Sequence, residues 1–313
     1  MSQPSTSQAR VIDPILTEVA QGYKHPMMVG SALFPAVPVM QRGGKIITFG
    51  KEDFQLYATG RAPGANTKRV QYGHASGNYS LDQHALEGLV PFEIMEEADR
   101  VPGIDMANVA IRKTQNIIAL RTEKEQADLA RDANQYDANH KVTLSGTSQW
   151  SDFGSTSKPI SDVRDAKEAV RATTGMDANT VVMGAKVFAK LSDHPTVIDR
   201  IKFTGRDSAT PELLASLFGV ERVLVGRAIY ADSAGDFADI WGNDVVVAYT
   251  DVSGLADMGS PSYGYTYQLG GYPIVEEPYQ DRNAKSWIYP VTDEVDPVIA
   301  SALAGFVIKA AVA

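Results

Sequence analysis

The amino-acid sequence predicts an α+β protein of elongated shape. Residues 104–133 form one uninterrupted helix-forming run, which would be roughly 45 Å long. Strand and turn residues dominate residues 43–86 and the chain from Pro261 onwards, and an α/β block separates the long helix from the second of these. A helix of that length with one narrow apolar side favours an extended molecule over a compact sphere.

Composition limits the classes of function. The 313 residues provide enough chain for two domains, and 44% hydrophobic with 21% charged residues is ordinary for a soluble protein. A net charge of -9 argues against a sequence-independent nucleic-acid binder. Cysteine is absent, which excludes disulfides, zinc–thiolate sites and thiol nucleophiles and is compatible with a reducing cytosol. The polar N-terminus predicts no signal peptide, and we expect no membrane partner.

The N-terminal segment is predicted to be an extended arm. Residues 1–10 are polar and are predicted to be disordered, and residues 11–20 predict a short helix or an extended anchor. Residues 32–39 are apolar but contain Pro35 and Pro38, which exclude a helix. An apolar arm needs a partner, and no nearby strand supplies one. We therefore expect its partner elsewhere, for instance on another subunit.

Residues 43–86 predict a long hairpin. Residues 45–50 and 70–81 are its strands, and residues 58–68 have turn composition. Such a ribbon has little core of its own and needs support from a neighbouring surface. The segment is also locally basic. It is either a solvated surface hairpin or a cationic arm for an acidic neighbour.

The long helix has its own start signal and an apolar repeat. It follows the breaker at residues 101–103, and Asp105 suits the positive end of a helix. Ile104, Ile111 and Ile118 are a heptad apart. The second half, residues 121–131, is mixed in charge and rich in alanine, which predicts a narrower buried stripe.

Residues 137–158 form a polar segment that is predicted to connect two domains, and a compact α/β block follows it. Ser161 is predicted to cap the first helix, which ends near Gly175, and a hairpin is predicted to turn at residues 242–244. The predicted helices are 162–171, 186–191 and 211–219, and the predicted strands are 180–184, 222–226 and the two arms of 239–249.

The C-terminal part is predicted to be strand again. Tyr263, Tyr265 and Tyr267 alternate with smaller residues, which would put three tyrosines on one face. A charged turn at residues 276–285 leads into a return strand at 286–291. The final apolar run, residues 304–312, predicts a buried strand.

No stretch of the sequence matches a catalytic, cofactor or metal pattern. The histidines show no ligand spacing, and the Gly-rich stretches match neither nucleotide fingerprint. Ser76, between Gly73 and Gly77, is misplaced for a nucleophile elbow. We therefore predict no catalytic, cofactor-binding or metal-binding residues, and no enzyme activity.

The order of arm, basic hairpin, long helix, α/β block and strand ribbon resembles the major capsid protein of tailed bacteriophages. This is the Hong Kong 97-type shell fold, and the resemblance is specifically to the lambda major head protein branch. It covers nearly the whole chain. The stretches that carry it are residues 43–52, 53–69, 145–152, 261–267 and 283–289.

The resemblance implies a division of the chain into an N-terminal arm, an extended loop, a peripheral domain with a long spine helix, and an α/β axial domain. The implied ranges are 1–39 for the arm, 40–86 for the loop, 87–137 and 262–302 for the peripheral domain with its spine helix at 104–133, and 138–261 and 303–313 for the axial domain. Such subunits form hexamers and pentamers that close into an icosahedral shell around double-stranded DNA.

The resemblance also implies specific partners. The extended loop would lie over an adjacent copy, with the cations Arg61, Lys68 and Arg69 facing the acids Glu276, Glu277 and Asp281. Only about ten polar residues precede the arm, which implies a separate scaffold protein. A portal and a decoration or cement protein are further expected partners, with assembly in the host cytoplasm. No residue matches well enough to predict a covalent crosslink.

Other classes of protein remain open from the sequence alone. An encapsulin-like nanocompartment or a gene-transfer particle shares this fold, and the packaged content would discriminate them. A cytosolic α/β enzyme would be a monomer or dimer with a deep polar pocket. A decoration protein is disfavoured because such proteins are usually much smaller.

Overall fold

The computed structural model describes most of the chain. The described residues are Thr17 and residues 28–48, 56, 59–61, 63, 67, 75–98, 100, 105–202, 209–232, 234–251 and 262–313. Side chains are described for all of these except residues 47, 48, 75 and 76. The predictions for residues 1–10, most of 11–20, the breaker at 101–103 and most of the loop 49–74 lie outside the described residues, as do Lys68, Arg69, His25 and His74.

The described residues form strands and α-helices with the following bounds. The strands are β1 (Ala36–Val39), β2 (Gly43–Thr48), β3 (Ala75–Ser80), β4 (Asp82–Pro91), β5 (Lys141–Thr143), β6 (Thr180–Gly184), β7 (Arg222–Gly226), β8 (Ile229–Ala231), β9 (Phe237–Asp239), β10 (Val245–Ala248), β11 (Gly264–Leu269), β12 (Ile274–Val275), β13 (Tyr279–Asp281), β14 (Ser286–Ile299) and β15 (Gly305–Lys309). The helices are α1 (Phe92–Ala98), α2 (Met106–Arg131), α3 (Pro159–Thr174), α4 (Ala185–Ser192), α5 (Pro195–Ile201) and α6 (Pro211–Phe218).

The predicted spine helix is confirmed as α2. Asp105 is its N-cap, and its carboxylate accepts a hydrogen bond from the Asn108 backbone N–H at 3.1 Å. Ile111 and Ile118 are buried, as the heptad predicts. The second half buries Glu123 and Gln126 as well as alanines, so the narrow stripe there is partly polar.

A six-stranded sheet forms one side of the molecule around β14. The strand order is β1-β11-β14-β12, and β4 and β13 also pair with β14. The first half of α2 packs across β4 and β14, where Ile111 and Ile118 join Val90 and Val291 in one apolar cluster. Gly88 of β4 allows this close approach, because a Cβ there would lie 3.2 Å from the backbone oxygen of Ala110.

A five-stranded sheet forms the second layer, in the order β5-β15-β10-β6-β7. Strands β6 and β10 are buried throughout, as expected for central strands covered on both faces. Helices α3 to α6 cover one face, with Val163, Val187 and Leu214 in its core. The end of α2 covers the other face through Ala127 and Ala130. The spine helix therefore spans from one sheet to the other.

The suggestion that the arm finds its partner on another subunit is wrong for residues 28–39. Strand β1 pairs in parallel with β11 of the same chain, in the register Ala36 to Thr266. Phe34 is fully buried against Tyr263, with ring centroids 5.5 Å apart. The physical reason is that the predicted tyrosine strand offers an open edge and an apolar face, which the sequence alone does not assign to this segment.

The base of the predicted hairpin is confirmed by the antiparallel pairing of β2 with β3. Its support comes from its own chain, because Ile46 is buried and Tyr79 stacks on Tyr267 with centroids 4.6 Å apart. Tyr265 shares this cluster with Tyr267. The prediction of three tyrosines on one face is wrong for Tyr263, which precedes the strand and enters the core beside α2.

Two local predictions in the α/β block are wrong. Helix α3 begins at Pro159 and not after Ser161, because proline suits the first helical position. The predicted hairpin at 239–249 does not form. Strand β9 pairs with β8, and β10 pairs with β6 and β15 on its two edges. A run as apolar as Val245–Ala248 is instead a central strand.

Candidate inter-subunit surface

The base of the long hairpin is fixed to the six-stranded sheet by an ion pair. The Arg42 guanidinium donates through Nε to Glu294 Oε2 at 2.6 Å and through Nη2 to Oε1 at 2.9 Å. Hydrogen bonding and charge from Glu294 raise the pKa of Arg42 above its usual value. On the return strand, the Ser80 backbone N–H donates to Asp296 at 2.9 Å. Both strands of the hairpin base are therefore held to the six-stranded sheet.

Exposed apolar and cationic residues mark the described part of this loop. Met40, which precedes β2, is 94% exposed, and Leu56 of the loop is fully exposed. Arg61 is also exposed. Single exposed apolar side chains are ordinary at protein surfaces, so these residues are accessible to another protein without by themselves marking a contact.

The structure describes all of the predicted acidic partners. Glu277 is exposed. Glu276 is partly buried, and its Oε1 accepts a hydrogen bond from the Thr292 hydroxyl at 3.4 Å. Asp281 accepts from the backbone N–H groups of Asn283 and Ala284 at 2.8 and 3.2 Å, which holds the turn between β13 and β14. Of these acids, Glu277 is the one whose side chain is most open to a neighbour.

A buried carboxylate that the sequence analysis missed fixes the N-terminal arm. Glu123 accepts hydrogen bonds from the backbone N–H groups of Val29 and Gly30, both at 2.9 Å, and from the Trp241 indole at 2.6 Å. Its exposed fraction is 2%. The sequence carries no signal for this position, because Glu123 lies five residues after Ile118, a spacing that does not continue the apolar heptad of α2.

One histidine cluster has the composition of a catalytic relay but is built into the core. His140 Nδ1 lies 2.7 Å from Asp137 Oδ1, and His140 Nε2 lies 3.0 Å from the Thr173 hydroxyl. That hydroxyl also hydrogen-bonds to the carbonyl oxygen of Leu303 at 3.1 Å, and His140 is 1% exposed. Burial acts to raise the pKa of Asp137, but the hydrogen bond and charge of His140 and the backbone N–H groups of Asn139 and His140 together outweigh it, and the pKa is lowered. The cluster ties the end of α3 to the chain before β5.

The described part of the chain offers neither a metal-binding cluster nor a helix suited to a membrane. No group of three or more His, Cys, Asp or Glu residues there is arranged to hold a metal ion. Among the described helices, none combines the length and apolar composition needed to cross a bilayer.

Comparison with known proteins identifies the family. The family model for phage major capsid protein E matches residues 106–289, which is more than half of the chain. The chain belongs to this family. The major capsid protein of Burkholderia phage BcepMu is 37% identical to it over 307 residues, covering 97% of each chain. A phage-related protein from Bordetella bronchiseptica RB50 has a crystal structure with 45% identity and a TM-score of 0.83, covering 97% of this chain and 98% of that chain.

A more distant shell protein shares the fold alone. The capsid structure of cyanophage P-SCSP1u has 10% identity and a TM-score of 0.59, and the match covers 99% of this chain and 92% of that chain. The predicted Hong Kong 97-type fold is therefore confirmed. The chain is a major capsid protein of a phage. Members of its family assemble into shells of many copies of themselves. The alternative classes weighed from the sequence are not favoured.

Proposed function

We propose that this capsid protein assembles as hexamers and pentamers that close into the icosahedral head shell of a tailed double-stranded DNA phage. The observation that carries the proposal is family membership along almost the whole chain, together with a shell fold of the same extent. Its role is structural and not enzymatic. Electron microscopy of the expressed protein, with and without its neighbouring genes, tests shell formation.

The parts of the chain would serve different roles in the shell. We assign residues 1–39 to an arm, 40–86 to an extended loop, 87–137 with 262–302 to a peripheral domain, and 138–261 with 303–313 to an axial domain. The two separate sheets support this division, because each has its own apolar core and α2 connects them.

Contacts between copies would come from the extended loop lying over its neighbour. The cations Arg61, Lys68 and Arg69 would face the acids Glu276, Glu277 and Asp281 of the adjacent copy. Exposure of Arg61 and Glu277 supports this pairing, as does the fixed base of the hairpin. Because such pairs lie at a surface, they direct the docking of subunits more than they add affinity.

Reversing two of the loop charges should block shell closure. In a variant with Arg61→Glu and Lys68→Glu, the loop would repel the acids of the next copy, and we expect the yield of closed particles to fall about tenfold or more. Sedimentation and negative-stain microscopy measure that yield. The charge-conserving variant with Arg61→Lys and Lys68→Arg is the control and should assemble normally. A normal yield from the reversed variant would refute the pairing.

Other partners belong to the same proposal. Assembly would take place in the host cytoplasm with a separate scaffold protein and a portal, and a decoration or cement protein would bind the finished shell. The net charge of -9 supports a shell that encloses double-stranded DNA without binding it sequence-specifically.

A further inference from the structure

The β8–β9 hairpin presents two large apolar side chains to solvent, Phe237 and Ile229. In its register Ile229 lies opposite Asp239 and Ala231 opposite Phe237, which places these side chains on one face. Phe237 is 77% exposed and Ile229 is 49% exposed. A two-stranded ribbon with aromatic and aliphatic side chains in water is typical of a surface that another protein covers.

The tip of this hairpin carries two acids, Asp232 and Asp236. Asp232 Oδ1 accepts from the backbone N–H groups of Ala234 at 2.8 Å and Asp236 at 3.0 Å. Asp236 is exposed beside Phe237. On the inner face, Lys124 of the spine helix lies 5.1 Å from the ring centroid of Tyr230. The spine helix therefore supports the ribbon from behind while its exposed apolar side chains and acidic tip point outwards.

A basic groove lies between the starts of α3 and α5. The residues that line it include one large apolar side chain, Ile160, and one carboxylate, Asp199. Asp199 accepts a hydrogen bond from Lys202 at 2.8 Å. The cations of the groove are Lys158, Arg164 and Arg200, all of them exposed.

The hairpin and the groove lie on opposite sides of the five-stranded sheet. Ala228 and Tyr230, at the hairpin, pack with the core that contains the spine helix. Val163 and Val197, which anchor α3 and α5, belong to the core on the other face. The two surfaces therefore cannot meet within one copy. A contact between them joins consecutive copies head to tail, which is the arrangement that generates closed rings.

We infer that the β8–β9 hairpin of one copy docks into the α3–α5 groove of the next copy in the ring. This inference rests on the proposed function, because it names a contact that holds a hexamer or pentamer together. Asp232 and Asp236 face Lys158, Arg164 and Arg200, so the charges are complementary. Phe237 covers Ile160 and stacks on a guanidinium plane, which buries its exposed ring.

Crosslinking through introduced cysteines tests this contact, because the chain contains no cysteine of its own. A double variant with Asp236→Cys and Arg164→Cys is treated with a short bismaleimide and separated under denaturing conditions. A head-to-tail ring gives a ladder of linked copies that ends at the size of the ring. Each single variant is a control and gives no ladder, as does a matched exposed pair, Glu221→Cys with Lys190→Cys.

A charge exchange tests the same contact without a crosslinker. Asp236→Arg alone and Arg164→Asp alone should each lower the particle yield about tenfold or more, and the double exchange should restore it. Particles that form without the ladder and tolerate the single exchanges would overturn this contact and leave the proposed function standing. A wild-type chain that stays monomeric under all assembly conditions would overturn both.

Discussion

Replacing Glu123 by alanine is expected to lower the free energy of unfolding of the unassembled capsid protein by about 3–5 kcal/mol. The carboxylate accepts from the Val29 and Gly30 backbone N–H groups and from the Trp241 indole. Alanine would leave these donors without an acceptor inside the core, and each lost partner costs roughly 1–3 kcal/mol. The arm should also detach from the spine helix, since two of these donors belong to it.

Urea unfolding followed by tryptophan fluorescence measures this loss. Glu123→Gln keeps the side-chain volume and one oxygen acceptor, and it should cost less than alanine. Asp128→Ala is the matched control on the same helix, because its carboxylate is exposed and pairs with Lys124 at the surface. We expect that control to change the free energy by about 0.5 kcal/mol or less. Equal effects of Glu123→Ala and Asp128→Ala would show that the arm is not held by this carboxylate.

Replacing Asp244 by asparagine is expected to lower the free energy of unfolding by about 2–4 kcal/mol at neutral pH. Asp244 is 5% exposed and accepts from Arg131 Nε at 2.7 Å, Lys309 Nζ at 2.6 Å and the Ala310 backbone N–H at 2.9 Å. It joins the end of the spine helix to β15 and the segment after it. Asparagine would leave the two cations facing a neutral group in a partly buried site.

The effect of Asp244→Asn should depend on pH. Burial acts to raise the pKa of Asp244, but the hydrogen bonds from Lys309, Ala310 and Arg131 outweigh it, and the pKa is lowered. A lowered pKa means that the stabilisation is fully present above the unfolded value of about 3.9 and is lost as the pH falls through the folded value. The difference between wild type and variant should therefore be constant near neutral pH and shrink in acid below that value.

Unfolding curves at neutral pH and in this acid range test that dependence. Asp199→Asn is the control, because its exposed partner Lys202 makes it a surface pair. It should shift stability by about 0.5 kcal/mol or less at every pH. If the difference in free energy of unfolding between wild type and Asp244→Asn stayed constant throughout this acid range, the ion pairs of Asp244 would not be its cause.

Elements with local signals could be predicted from the sequence. The spine helix was predicted at residues 104–133 and runs Met106–Arg131, because the Asp105 cap and the apolar heptad are both local. Helix α6 begins at Pro211 and ends before Gly219, which has the left-handed conformation that glycine favours. Strands β6 and β7 match their predicted ranges, because each is a short apolar run bounded by turn residues.

Features that depend on distant pairing could not be predicted. Gly30 and Glu123 are 93 residues apart, and Arg42 and Glu294 are 252 residues apart. Nothing in the sequence around Glu123 distinguishes a buried acceptor from a solvated acid. The same holds for β4, which was not predicted because its residues alternate only weakly, and which pairs along ten positions with β14.

The proposed inter-subunit surface stays a prediction, because a single chain does not contain both of its sides. The basic character of the loop is visible in the sequence, but the acidic partner that we propose for it would belong to another copy. Glu277 is exposed as the pairing requires, whereas Asp281 holds its own turn. The exposed Phe237 face had no sequence signal, because alternation in a three-residue strand is too short to assign a buried side.

Cryo-electron microscopy of particles assembled from the expressed chain tests the central claim most directly. The measurement is the path of residues 40–86 in the density, relative to their own copy and to its neighbours. We expect closed shells built from fivefold and sixfold rings, with each loop lying across the adjacent copy. A discrete monomer whose loop lies on its own body would contradict the account.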